Sequence, residues 1–145
     1  MADRDGPAVV DTMVFSWALM GAATEIGRAY APQLVGRTVI LAAQTVAELR
    51  YGAIHSNWGD KRRADLEERI ATSRVVRVDD ALSTRYAELK DRCVRQGHAL
   101  GQKQHDGDRW IAATALRYEI PLISHDGVFI GAPELELITE LEISR

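Results

Sequence analysis

Short apolar runs and helical stripes alternate along the chain. Ala8-Val9-Val10 is a β-branched run ending at Asp11 and predicts a strand. Val14 to Met20 predicts a helix, and Thr24 to Leu34 a second one with Thr24 as its N-cap, although Pro32 sits near its end. Thr38 to Leu41 predicts the second strand, followed by a helix from Thr45 to about Ser56. Gly59 to Ser73 places Ala64, Leu66 and Ile70 among many charges, the pattern of a surface helix. Val75 to Val78 predicts a third strand, and Asp80 a cap for a helix from Ala81 to Gln96. Gly97 to Gly107 reads as a polar loop, Asp108 to Tyr118 as a helix, Pro121 to Ser124 as the fourth strand and Leu135 to Thr139 as a fifth. Strands separated by helices predict an α/β fold, with a central parallel sheet of about five strands flanked by helices. No repeat or linker interrupts the pattern. Residues 1–145 therefore read as one domain, with 1–6 as a disordered leader.

Composition narrows the class. Of 145 residues, 46% are hydrophobic and 27% charged, which excludes a disordered chain. Cys93 is the one cysteine, so an intramolecular disulfide and a Cys-rich zinc site are both excluded. It shares helical spacing with Leu82, Tyr86 and Leu89, a core stripe. The apolar stretch from Thr12 to Thr24 is too short to span a bilayer, and the acidic leader is wrong for a signal peptide. A cytoplasmic protein is expected, with no membrane contact. The formal charge of −3 argues against a general polyanion binder.

The placement of acids then changes the picture. In open α/β sheets, ligands bind beyond the carboxyl ends of the strands. Asp11 follows the first strand and Asp126 follows the fourth, Glu48 lies early in the helix after the second strand, and Asp108 opens a later helix. Each acid also has a purely structural reading. Asp11 and Asp108 suit helix caps, and Asp126 before Gly127 suits a turn. Thr45 to Glu48 matches the capping box S/T-x-x-E. Taken together, four carboxylates converging on one rim would repel unless a cation joined them. A pocket of carboxylates suits a hard ion such as Mg²⁺ or Mn²⁺, which activates water and stabilises a phosphodiester undergoing hydrolysis. One such ion brings the formal charge from −3 to −1.

Four segments carry a resemblance: Val9 to Thr12, Ala47 to Gly52, Asp108 to Ala115, and Leu122 to Phe129. In this order the chain resembles the PIN-domain nucleases, and within them the VapC-type toxins. The resemblance implies a metal-dependent endoribonuclease that holds Mg²⁺ or Mn²⁺ on Asp11, Glu48, Asp108 and Asp126. It also implies a homodimer, silencing by a VapB-type antitoxin, and a structured RNA substrate such as tRNA or ribosomal RNA. The chain departs from the pattern twice. Met13 stands where an Asn or Ser is common, and Val128 where a further Asp often precedes the Phe.

Supporting candidates lie nearby. Asp106 is a further candidate ligand, and Thr12 and Ser124 are candidate hydrogen-bonding partners of the acids or of metal-bound water. Arg50, Arg109 and Lys103 are the expected RNA contacts, since phosphate neutralisation dominates affinity. Lys61-Arg62-Arg63 reads as an ion-pairing helix face with Glu67-Glu68, and His105 and His125 as surface histidines. Two other classes use similar residues. A phospho-accepting receiver needs an acidic pair at the first strand and a late Lys, and neither is present. A non-catalytic PIN-fold module binding RNA or a protein partner draws on Met13 and Val128.

Overall fold

The computed structural model describes residues 5–20 and 24–142. Most of the expected disordered leader, residues 1–4, and the stretch 21–23 lie outside the described residues. Five strands form one sheet in the order β3-β2-β1-β4-β5, every neighbouring pair parallel. They are β1 (Ala8–Val10), β2 (Val39–Ala42), β3 (Arg74–Val76), β4 (Leu122–Ile123) and β5 (Leu137–Ile138). Among the described residues six α-helices flank them: α1 (Thr12–Leu19), α2 (Glu25–Leu34), α3 (Ala43–His55), α4 (Asp60–Thr72), α5 (Asp80–Gln96) and α6 (Asp106–Tyr118). This is the α/β architecture that the alternating pattern predicts.

The period-two alternation of strand side chains divides the core. Val9, Ile40, Ala42 and Leu122 face α5 and α6, where they meet Leu82, Leu89, Cys93, Ile111 and Ala112. Ala8, Val10, Leu41 and Ile123 face the other way, toward Val14, Phe15, Tyr30, Val46, Leu49 and Leu66 of α1 to α4. Apolar residues on both sides of each strand are what a sheet covered on both faces requires. Cys93 is fully buried, as its stripe predicts, and burial pushes its thiol pKa up.

Several boundaries differ from the sequence pattern, each for a local reason. The first helix begins at Thr12 because Asp11 caps it, its side chain accepting from the Thr12 N–H. In α2, Thr24 is the N-cap as predicted, accepting from the Gly27 N–H at 3.0 Å. Asp79, not Asp80, caps α5 by accepting from Leu82 N–H at 2.7 Å. β3 stops at Val76, and Val78 is exposed beyond it.

Helix α3 starts directly after β2 with Ala42 as an uncapped N-terminus. Thr45 is therefore fully buried inside the helix, and the capping box with Glu48 does not form.

The segment expected to be a polar loop is ordered. It holds two 3₁₀ turns, Ala99–Gly101 and Lys103–His105, and α6 begins at Asp106. Leu100 is fully buried, and Gly101 sits so close to the end of α5 that a Cβ would lie 2.9 Å from Val94 N. No helix among the described residues is long and apolar enough to cross a membrane.

Candidate active site

The strand order reverses between β1 and β4, because the chain builds outward through β2 and β3 before returning to the other side of β1. Such a switch point opens a crevice at the carboxyl ends of the two strands. Asp11 leaves β1 there and Ser124 leaves β4. The Ser124 hydroxyl, fully buried, donates to Asp11 Oδ2 at 2.6 Å, joining the two strand ends. The Thr12 N–H donates to Asp11 Oδ1 at 2.8 Å. Both carboxylate oxygens of a residue only 6% exposed are thus held.

Glu48 approaches from the second turn of α3. Gln44, one turn earlier on the same face, donates to its Oε1 at 3.2 Å, and the Thr12 hydroxyl donates to Oε2 at 3.3 Å. Thr12 therefore touches two acids, with its backbone on Asp11 and its side chain on Glu48. Asp108 approaches from the first turn of α6, and its Oδ2 lies 2.9 Å from His105 Nδ1.

These three carboxylates share one electrostatic field. The pKa of Asp11 is raised from 3.8 to about 6, chiefly by burial. The Ser124 and Thr12 hydrogen bonds pull it down, while the charges of Asp108 and Glu48 push it up further. The Glu48 pKa is also raised, first by burial, with the Asp108 charge adding to it and the Gln44 and Thr12 bonds opposing. Among the described residues, no group of three or more Asp, Glu, His or Cys side chains is gathered closely enough to hold a metal ion. The donor chemistry of the three acids is all oxygen, and charge is disfavoured at buried Asp11 and at half-buried Glu48, so the residues fit a hard divalent cation.

The fourth acid is placed differently. Asp126 is exposed on the loop after β4, and its Oδ1 accepts from Val128 N–H at 3.0 Å to open the 3₁₀ turn Gly127–Phe129. This is the turn role open to an Asp-Gly pair. The loop is still tied to the crevice, because Asp126 N–H donates to Ser124 Oγ at 3.0 Å.

Other candidates are redirected. Asp106 is engaged elsewhere: it accepts from the Tyr86 hydroxyl and from Arg109 Nη2 at 3.2 Å. Arg109, expected at an RNA surface, is 2% exposed. Its Nη1 donates to Leu100 O at 2.9 Å and to Gln102 O at 2.6 Å, clamping the two 3₁₀ turns onto α6. Arg50 is exposed and grips Glu67 through two 2.9 Å bonds, whereas Lys103 is exposed on the turn just before His105. Glu67 pairs with Arg50 rather than within its own helix, and Arg62 instead lies over the Trp58 ring at 3.8 Å. His125 is no surface histidine. Its ring is wedged edge-on between Trp17 and Tyr30, and Nδ1 is 2.7 Å from the Tyr30 hydroxyl. Met13 is 51% exposed; the contacts to Asp11 come from Thr12 and Ser124.

The sequence pattern offers Thr45 only as a helix cap and carries no signal for Gln44 or for a partner of His105. Gln44 and Glu48 at i,i+4, and His105 and Asp108 at i,i+3, are spacings that place side chains together on a helix. Neither has a signature distinct from ordinary helix composition.

Comparison with known proteins agrees with this geometry. Residues 8–135 match the family model of the PIN domain. Ribonuclease VapC5 of Mycobacterium tuberculosis is 31% identical over 143 residues, covering 95% of this chain and 98% of that protein. The crystal structure of FitAcB from Neisseria gonorrhoeae superposes with a TM-score of 0.70 at 27% identity, over 90% of this chain and 95% of that one. VapBC-5 from Mycobacterium tuberculosis, a member of the VapBC family of toxin-antitoxin systems, superposes with a TM-score of 0.61 at 26% identity, over 93% and 98%. The chain belongs to the PIN-domain family and is closely related to the VapC-type toxin–antitoxin ribonucleases.

Proposed function

We propose that this chain is the toxin of a type II toxin–antitoxin pair and hydrolyses RNA phosphodiester bonds as a Mg²⁺- or Mn²⁺-dependent endoribonuclease. The observation that carries the reading is Asp11: a buried carboxylate at the sheet's switch point, held on both oxygens and facing the charges of Glu48 and Asp108. Membership of a family that includes a ribonuclease supports the same reading.

Asp11, Glu48 and Asp108 are the residues that would hold the cation, with Asp126 contributing from the rim. When bound, such a cation polarises a phosphate oxygen and lowers the pKa of water. The chain's own residues prepare for that. Ser124 and Thr12 fix the orientation of Asp11, and Gln44 and Thr12 fix Glu48, so the acids are positioned before substrate arrives. Lys103 and Arg50 are the exposed cations proposed to meet RNA phosphate. Arg109 has no part in that contact, because its guanidinium is buried. The acting form is a cytoplasmic homodimer silenced by a VapB-type antitoxin, and structured RNA such as tRNA or ribosomal RNA is its substrate class.

The alternative of a non-catalytic binding module drew on Met13 and Val128. Thr12 and Ser124 already hold Asp11, so a side chain without hydrogen-bonding capacity at position 13 leaves that acid supported. The test is RNA cleavage by the purified protein with Mg²⁺ or Mn²⁺. EDTA and Asp11→Asn are each expected to abolish it, and cleavage that survives both overturns the proposal.

A further inference from the structure

His105 stands at the N-cap position of α6, where a side chain ordinarily accepts from a backbone N–H of the first turn. Its side chain makes no such capping bond. Instead Nδ1 lies 2.9 Å from Asp108 Oδ2, three residues on, with both side chains about one quarter exposed. An ionised carboxylate only accepts hydrogen bonds, so Nδ1 is the protonated nitrogen in this contact. Asp108 lies in the first turn of α6, and its charge reaches both Asp11 and Glu48.

The three acids then share one design. Asp11 is held by Ser124 and Thr12, Glu48 by Gln44 and Thr12, and Asp108 by His105. We infer that His105 is a positioning residue for the metal-dependent reaction: its Nδ1–H holds Asp108 Oδ2 and turns the other oxygen toward the site shared with Asp11 and Glu48. The inference rests on the proposed function, because it assigns a role within that same site. Nδ1 is engaged with Asp108 rather than free for a cation. A carboxylate on an exposed first turn samples several rotamers, and a partner that holds one of them removes that ordering cost from cation binding. Groups that orient metal ligands in this way typically change metal affinity by about 10–100-fold.

The experiment is Mn²⁺ titration by calorimetry without RNA, paired with thermal unfolding in EDTA and with steady-state RNA cleavage. Wild type, His105→Ala, His105→Asn and His105→Gln are compared. An Asn amide nitrogen can occupy the place of Nδ1, whereas a Gln amide reaches the place of Nε2. His105→Ala and His105→Gln are expected to bind Mn²⁺ about 10-fold or more weakly, and His105→Asn to recover most of the affinity. The KM for RNA should change little at saturating Mn²⁺, because the ring does not hold substrate. Equal Mn²⁺ affinity in all four proteins overturns the inference while leaving the proposed function intact. So does a loss confined to melting temperature, which is the mark of a merely structural residue. A rise in KM for RNA alone would make His105 a substrate contact and would also overturn it. No Mn²⁺ binding by the wild type would instead contradict the proposed function.

Discussion

Asp11 concentrates the conflict between folding and function in one side chain. Its pKa is near 3.8 in an unfolded chain and about 6 in the fold. Below both values the group is neutral in either state, and its contribution to stability is fully present. As the pH rises through about 6 the buried carboxyl must ionise against its surroundings, and that stability is lost. A shift of this size corresponds to roughly 3 kcal/mol. Asp11→Asn in EDTA is therefore expected to be more stable than wild type at pH 8 by about 1–3 kcal/mol, and no more stable at pH 4. Thermal or urea unfolding at the two pH values checks this, and an equal difference at both would contradict it. Ser124→Ala acts in the opposite sense. It removes a bond that lowers the Asp11 pKa, so the acid limb of the cleavage pH profile should move to higher pH. It also leaves Asp11 Oδ2 and the Asp126 N–H without their partner, at a cost of about 1–3 kcal/mol.

At the scale of elements, the same chain signals that drew the fold misplaced parts of the site. Strand β1 was legible from its apolar run, helix α2 from its periodicity together with its Thr24 cap, and helix α5 from its apolar stripe, although the cap of α5 is Asp79 rather than Asp80. Helix α3 was read two residues late because Thr45 and Glu48 satisfy a capping pattern, yet the helix runs straight out of β2 and buries Thr45. The two 3₁₀ turns were hidden by their polar, glycine-rich composition, and only buried Leu100 and Arg109 reveal them as packed structure. Arg109 is the instructive case. Its position beside Asp108 in sequence suggested a phosphate contact, but helical geometry turns it inward onto two carbonyls. Arg109→Ala should therefore behave as a stability variant, losing about 3–5 kcal/mol through the acceptors it leaves unpaired. Chemical denaturation with RNA-binding measurements decides: wild-type stability with weakened RNA binding would return Arg109 to the surface role.

At the scale of the whole molecule, topology does what no single motif could. Asp11 and Ser124 are 113 residues apart, and they meet because β1 and β4 pair in parallel across the switch point. Asp11, Glu48 and Asp108 could be picked out from the sequence, whereas Asp126, expected with them, caps an exposed turn instead. The partners of the acids could not, since a Ser, a Thr and a Gln become supports only once the sheet order is known. The buried hydroxyl of Tyr30 extends the same logic: it accepts from Glu140 N–H at 2.9 Å and lies 2.7 Å from His125 Nδ1, tying the segment after β5 and the β4 loop to helix α2. The charge of −3 fits this picture. A site that gathers acids and neutralises them with a cation does not need a basic surface to act on RNA. The proposed cleavage depends on a divalent cation held in the acid crevice. The most direct measurement is Mn²⁺ binding by calorimetry at pH 7.5, on wild type and Asp11→Asn, with RNA cleavage assayed in the same samples. Saturable binding and cleavage by wild type, both lost in Asp11→Asn, is the predicted result. Cleavage by wild type without Mn²⁺ binding, or binding and cleavage unchanged in Asp11→Asn, would contradict the account.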